Sequence, residues 1–164
     1  MVDKNHIELN PVKGQWFYDN QPFEGYAVAY YENDSIAEKT GFLNGKREGK
    51  SYKYYDNGHI KSESYYKANR FHGVKRNYYK DGTLASEYRY VNGKKHGVQK
   101  IWFQNGQLAK KKNLDKGKEV GIQQSWLENG KIYVNYEAKN GRIFGMLRAN
   151  SCYKLESENV VKKQ

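Results

Sequence analysis

The chain of 164 residues has a formal net charge of +11, 37% apolar residues and 16 tyrosines, with a mean hydropathy of −1.07. So little apolar content argues against a deep multilayer core, and no run approaches the length of a membrane-spanning helix. The single cysteine, Cys152, excludes an intramolecular disulfide, and MVDKNHIELNPVK at the N-terminus lacks the apolar run of a signal peptide. A cytoplasmic location is expected.

Taken in chain order, residues 1–24 are a degraded copy of a unit that recurs along the rest of the chain. Tyr18 stands where later units have Tyr66 and Tyr90, Asp19-Asn20-Gln21 takes a turn position, and Pro11 and Pro22 have no counterparts. A capping repeat is expected to diverge in this way, because proline blunts a sheet edge. Over residues 25–144 glycine returns every 24 residues, at Gly25, Gly49, Gly73, Gly97 and Gly121, and again at Gly145. A fixed period of this size marks a repeat architecture in which neighbours cover one another.

Each of the five units reads as two strands and two turns. The first turn is Asn33-Asp34, Asn57-Gly58, Asp81-Gly82, Asn105-Gly106 and Asn129-Gly130, taken as a two-residue hairpin loop. The second is Asn44-Gly45, Asn92-Gly93 and Asn140-Gly141, with weaker versions at Ala68-Asn69 and Lys116-Gly117. The segments between them are too short for a βα unit and rich in Tyr, Val and Ile, as a meander requires. The expected fold is all-β: an elongated single-layer antiparallel sheet of ten to twelve strands, about 50 to 60 Å long at ~4.8 Å per strand. Residues 145–164 begin a sixth unit and end in a polar cap or tail.

A two-residue loop at Asn57-Gly58 sets Tyr55 opposite Ile60 and sorts the side chains by face. One face collects the columns Tyr31, Tyr55, Tyr79, Phe103, Leu127; Ile36, Ile60, Leu84, Leu108, Ile132; and Phe42, Tyr66, Tyr90, Leu114, Ala138, together with the repeat glycines. Glycine beneath a neighbouring ring makes this the better buried face, unless a bulge at the glycines swaps the parity beyond them. Tyrosines here are expected to turn their rings inward and their hydroxyls to water. The other face carries Tyr30, Tyr54, Tyr78, Trp102 and Trp126 among Lys39, Glu63, Glu87 and Lys111.

The segments YYDNGHIKSESYYKANRFHG at 54–73 and YYKDGTLASEYRYVNGKKHG at 78–97 resemble the second type of MORN repeat (membrane occupation and recognition nexus). Such repeats make up the bacterial YwqK-family antitoxins. The resemblance covers roughly residues 25–145; Asp34, Ala68-Asn69 and a fifth unit without paired tyrosines depart from it. It implies a protein that binds and neutralises a cognate toxin, and it brings no catalytic residue with it.

Nothing in the residues argues for an enzyme, a cofactor or a metal site. His72 and His96 share one repeat position before the unit glycine, no Cys or His pair has metal-ligand spacing, and no nucleophile elbow is present. Glu63 and Glu87 read as cross-strand partners of lysines, and Cys152 as a small apolar residue. What remains is a surface. Tyr54, Tyr78, Trp102 and Trp126 with Arg76, Arg89, Lys100 and Lys111 supply the residue types of interface hot spots, against the plainer role of a second, half-covered core face. Lys110 and Lys112 add to the charge near the tryptophans. Lys46, Arg70, Lys94, Lys118 and Arg142 each follow a second turn and form a basic edge, either for solubility or as a track for an acidic partner. The expected partner is a toxin protein with an acidic surface; the alternative is an anionic phospholipid membrane or nucleic acid.

Overall fold

Two alternating turn chemistries set the architecture, which the computed structural model describes for residues 1–146. At all five second turns, from Asn44-Gly45 to Asn140-Gly141, both residues have positive φ, the geometry whose twist suits antiparallel strands. The first turns correct the expectation of a two-residue loop. Gly58 N–H donates to Tyr55 O (2.9 Å) and Tyr55 N–H to His59 O (2.8 Å), with Gly58 but not Asn57 at positive φ. That is a three-residue loop: a type I turn followed by a left-handed residue. The same bonds recur at Tyr31, Tyr79, Phe103 and Leu127, and Asp34 (φ 60°) takes the glycine's place in the first unit. Ile60 consequently faces Tyr54, not Tyr55.

The strands among the described residues are β1 (Val2–Asp3), β2 (Glu8–Asn10), β3 (Gln15–Tyr18), β4 (Gln21–Pro22), β5 (Gly25–Tyr30), β6 (Ile36–Leu43), β7 (Lys46–Tyr54), β8 (Ile60–Lys67) and β9 (Arg70–Phe71). They continue as β10 (Gly73–Tyr78), β11 (Leu84–Val91), β12 (Lys94–Lys95), β13 (Gly97–Trp102), β14 (Leu108–Asp115), β15 (Lys118–Glu119), β16 (Gly121–Trp126), β17 (Ile132–Lys139) and β18 (Arg142–Met146). One long sheet runs β1-β5-β6-β7-β8-β10-β11-β13-β14-β16-β17-β18, while β9, β12 and β15 extend the hairpins of β8, β11 and β14. Among the described residues only β1 pairs in parallel, with β5. Strands β2, β3 and β4 form a small sheet of their own. The only helical turn among the described residues is a 3-10 turn at Lys4–His6. The protein is thus an all-β chain built as a long hairpin sheet.

The repeat glycines are there for their backbone. Gly49, Gly73, Gly97 and Gly121 have φ between 65° and 77°, and a Cβ on Gly49, Gly73 or Gly121 would meet nothing within 4 Å. At these four the expectation of a ring above the glycine is therefore wrong, though Phe23 Cζ does lie 3.9 Å from a Cβ built on Gly25; the left-handed conformation is what excludes other residues. Each glycine sits in a bulge. Between the pairs Tyr66↔Phe71 and Ser62↔Asn77, β8 advances four residues while the facing chain advances six. The two extra residues restore the alternation in phase, so the bulge does not swap the faces.

The glycine face is the better buried one, but its buried layer is largely polar. Phe42, Leu114 and Ala138 of the expected columns are buried, yet Ile36 and Ile60 are exposed. The remaining buried side chains of this face include Thr40, Ser51, Ser62, Ser86, Gln99, Gln123 and Ser125. Thr40 Oγ1 and Ser51 Oγ share a hydrogen bond of 2.7 Å. Gln99 and Gln123 fill the bulges. The Gln123 side chain accepts from Asn113 N–H (3.2 Å) and donates to the carbonyls of Asn113, Val120 and Gly121. Gln99 does the same at Arg89, His96 and Gly97. Backbone groups that a bulge releases from the ladder are thereby satisfied.

Tyrosine hydroxyls tie successive units together instead of pointing to water. Tyr31 donates to Tyr54 O (2.7 Å), Tyr55 to Tyr78 O (2.8 Å) and Tyr79 to Trp102 O (2.8 Å). On the opposite side the second turns stack, with Gly45, Asn69, Gly93 and Gly117 donating to the carbonyls of Phe23, Arg47, Phe71 and Lys95. Phe23 belongs to an apolar cluster with Ile7, Ala27 and Phe42, against which Val2 and Trp16 pack. Cys152, the tail from Leu155 to Gln164 and most of the sixth unit lie outside the described residues.

Candidate functional site

Strand alternation brings the expected partner-binding residues onto the face opposite the glycines. A cross-strand row runs Lys39, Tyr52, Glu63, Arg76, Glu87, Lys100, Lys111 and Gln124. Tyr54, Tyr78, Trp102 and Trp126 follow two residues beyond members of that row and form a second, parallel one. All four are half-buried. Tyr54 stacks on Tyr52, with ring centroids 6.3 Å apart. Arg89 is exposed and lies opposite Val74 on the same face.

Arg76 is the electrostatic centre of this face. Its Nε donates to Glu87 Oε2 at 2.9 Å and its Nη1 to Glu63 Oε1 at 3.0 Å, while Tyr78 Oη donates to the same Glu63 oxygen at 2.8 Å. The carboxylates are cross-strand partners as expected, but the shared cation is this arginine and not the lysines. A guanidinium has the fork to hold two carboxylates, which one ammonium lacks. Burial pushes the Glu63 carboxyl up, and the bonds from Arg76 and Tyr78 outweigh it and hold the group below its ordinary range. Burial and the Glu63 bond push the Tyr78 phenol up. The pairing of Arg76 with both acids was not readable from the repeat, because arginine stands at this place in one unit only.

Lys46, Arg70, Lys94, Lys118 and Arg142 are all exposed at strand starts after the second turns. None makes an ion pair among the described residues. The bonds from Gly45, Asn69, Gly93 and Gly117 stack the first four of those turns and set Lys46, Arg70, Lys94 and Lys118 in succession. The histidines do not converge: His96 Nδ1 lies 3.2 Å from Asp115, His59 Nδ1 is 2.9 Å from Lys80 O, and His72 Nδ1 is buried without a partner. No group of three or more His, Cys, Asp or Glu among the described residues could hold a metal ion.

No curated protein matches the chain. Three consecutive stretches of the long sheet, residues 47–68, 71–92 and 95–116, match the family model described as the MORN repeat variant.

Proposed function

We propose that the chain is a non-enzymatic binding module that captures a bacterial toxin in the cytoplasm and neutralises it as an antitoxin or immunity protein. Repeats of the matched variant are commonly binding modules for proteins or lipids. The observation that carries the protein reading is the row Tyr54, Tyr78, Trp102 and Trp126, half-buried beside Arg76, Lys100 and Lys111 on one face. Large rings flanked by cations form the centres of protein interfaces, and a net charge of +11 suits capture of an acidic surface.

A second reading, binding to an anionic phospholipid membrane or nucleic acid, draws on the five exposed cations that follow the second turns. One experiment separates the two. Trp102→Ala and Lys111→Glu should each weaken toxin capture and rescue, with Trp102→Ala costing about 2 kcal/mol of binding, while Tyr30→Ala does far less. Liposome or RNA binding that falls steeply with salt, with all three variants neutralising normally, would instead support the second reading.

A further inference from the structure

The glycine face carries lysines in clefts whose linings contain no carboxylate, whereas the cleft around Lys50 and Arg76 on the tryptophan face includes Glu63. A cleft of about 300 Å³ brings Lys53, Lys61 and Lys75 together with Ser62 and Asn77. Farther along the same face a cleft of about 200 Å³ gathers Lys95, Lys110 and Lys112 around Gln99. Positions 51, 53, 62, 64 and 66 of the first correspond to 99, 101, 110, 112 and 114 of the second, two units on. Four strand steps separate them, about 19 Å at ~4.8 Å each.

The nearest acids are spoken for. Glu38 reaches Lys53 at 3.8 Å but bonds Lys4 at 2.9 Å, whereas Glu119 bonds Lys112 at 2.6 Å and so already engages one lysine of the second cleft, leaving Lys95 and Lys110 to meet a ligand there. Lys61, Lys75, Lys95 and Lys110 make no ion pair among the described residues. Burial, then the nearby charges of Lys53 and Lys95, push the Lys75 ammonium down. An anion between these groups would relieve the crowding.

The rings around the lysines are already stacked. Tyr66 lies on Phe71 at 4.6 Å and Phe71 against Tyr90 at 5.2 Å. Arg47 covers Tyr66, Lys61 Tyr55, Lys75 Phe71 and Lys95 Tyr88, at 4.1 to 5.4 Å. These rings are therefore occupied where nucleic-acid bases would stack, whereas carboxylates need only the ammonium groups and hydroxyls. An extended peptide covers 19 Å in about six residues at ~3.3 Å each.

We propose that the glycine face seats an extended acidic segment of the protein partner, with carboxylates about six residues apart entering the two lysine clefts. This rests on the protein-binding reading above and adds a second contact surface to it.

The test needs no toxin. Full-length protein is titrated into a fluorescent Gly/Ser peptide carrying two Asp-Asp pairs about six residues apart, a peptide of equal charge with all four aspartates adjacent, and oligo-dT of equal charge. At roughly 150 mM salt the spaced peptide should bind about tenfold or more tighter than either control, since the second contact is intramolecular. Lys75→Glu and Lys110→Glu, and the charge-removing Lys75→Met and Lys110→Met, should each bring it down to the level of the adjacent peptide. Lys111→Glu on the opposite face should leave it unchanged, with all variants keeping the wild-type circular dichroism. Equal binding of the two peptides, tighter binding of oligo-dT, or a loss with Lys111→Glu as large as with Lys75→Glu would overturn the proposal. Failure of toxin neutralisation with intact peptide binding would count against the antitoxin reading alone.

Discussion

Replacing Gln123 by leucine tests whether the bulges depend on their glutamine. The side chain is 1% exposed, and its amide is the hydrogen-bond partner of Asn113 N–H and of three carbonyls. Leucine fills a similar volume but leaves Asn113 N–H without that acceptor. The Asn113 carbonyl keeps a bond from Val120 N–H at 3.0 Å, so the orphaned donor dominates. One buried unsatisfied group costs about 1 to 3 kcal/mol and each lost hydrogen bond about 1, against a gain of roughly 1 to 2 kcal/mol from burying leucine. The net expectation is a loss of about 2 kcal/mol, or roughly 30-fold in the local folded-to-unfolded ratio.

Repeat energetics confine that loss to the affected unit and its neighbours. Hydrogen exchange should rise over 108–139 and stay near wild type over 36–67, while urea unfolding followed by tryptophan fluorescence shifts to a lower midpoint. Gln123→Glu sharpens the test, because a carboxylate would face three carbonyls. Its folded-state pKa should lie above the unfolded one, so this variant should gain stability as pH falls. Leucine within about 0.5 kcal/mol of wild type, or loosening spread evenly over all units, would refute the reasoning.

The tyrosine ladder stops where Phe103 replaces tyrosine, so Phe103→Tyr should supply a donor for the Trp126 carbonyl and stabilise the fourth and fifth units by about 1 kcal/mol. Tyr79→Phe should cost a similar amount, both read by urea midpoints. Burial and the 2.6 Å bond to Glu119 push the Tyr136 phenol up to about 12. Because the folded phenol holds its proton more tightly than the unfolded one, the stabilisation is complete below pH ~10 and lost as pH rises toward 12. Glu119→Gln should return the phenolate transition, measured as wild type minus Tyr136→Phe, toward its ordinary value. Glu119 itself is held down, first by Lys112 and then by Tyr136, so its contribution is present at neutral pH and lost as pH falls through its folded value.

The period of the units, both turn positions and the two faces were legible in the sequence because glycine, asparagine and alternation report directly on backbone geometry. The length of the first loop was not. Asn57-Gly58 serves a two-residue and a three-residue loop equally well, and the bonds from Tyr55 N–H to His59 O and from Gly58 N–H to Tyr55 O, with positive φ at Gly58 alone of the pair, distinguish them. Phase across the bulge was hidden for the same kind of reason, since counting residues on one strand says nothing about the count opposite. Gln99 and Gln123 carried a faint signal: the same residue recurs two places after consecutive unit glycines, in the middle of a strand where a solvent-facing amide has no cause to repeat. For the candidate binding face, alternation along the strands grouped the rings and cations, but the Arg76 bridge depended on one non-repeated residue.

The two-residue excess at each glycine bulge bears on how such a chain changes length. Gain or loss of one 24-residue segment leaves every downstream side chain on the side it occupied before. A single-residue insertion between a glycine and the next first turn would turn the remainder of that strand over, exposing serines and glutamines and hiding charges. Lineages of this chain are therefore expected to differ by whole segments or within the turns, and rarely by odd numbers of residues inside the strands.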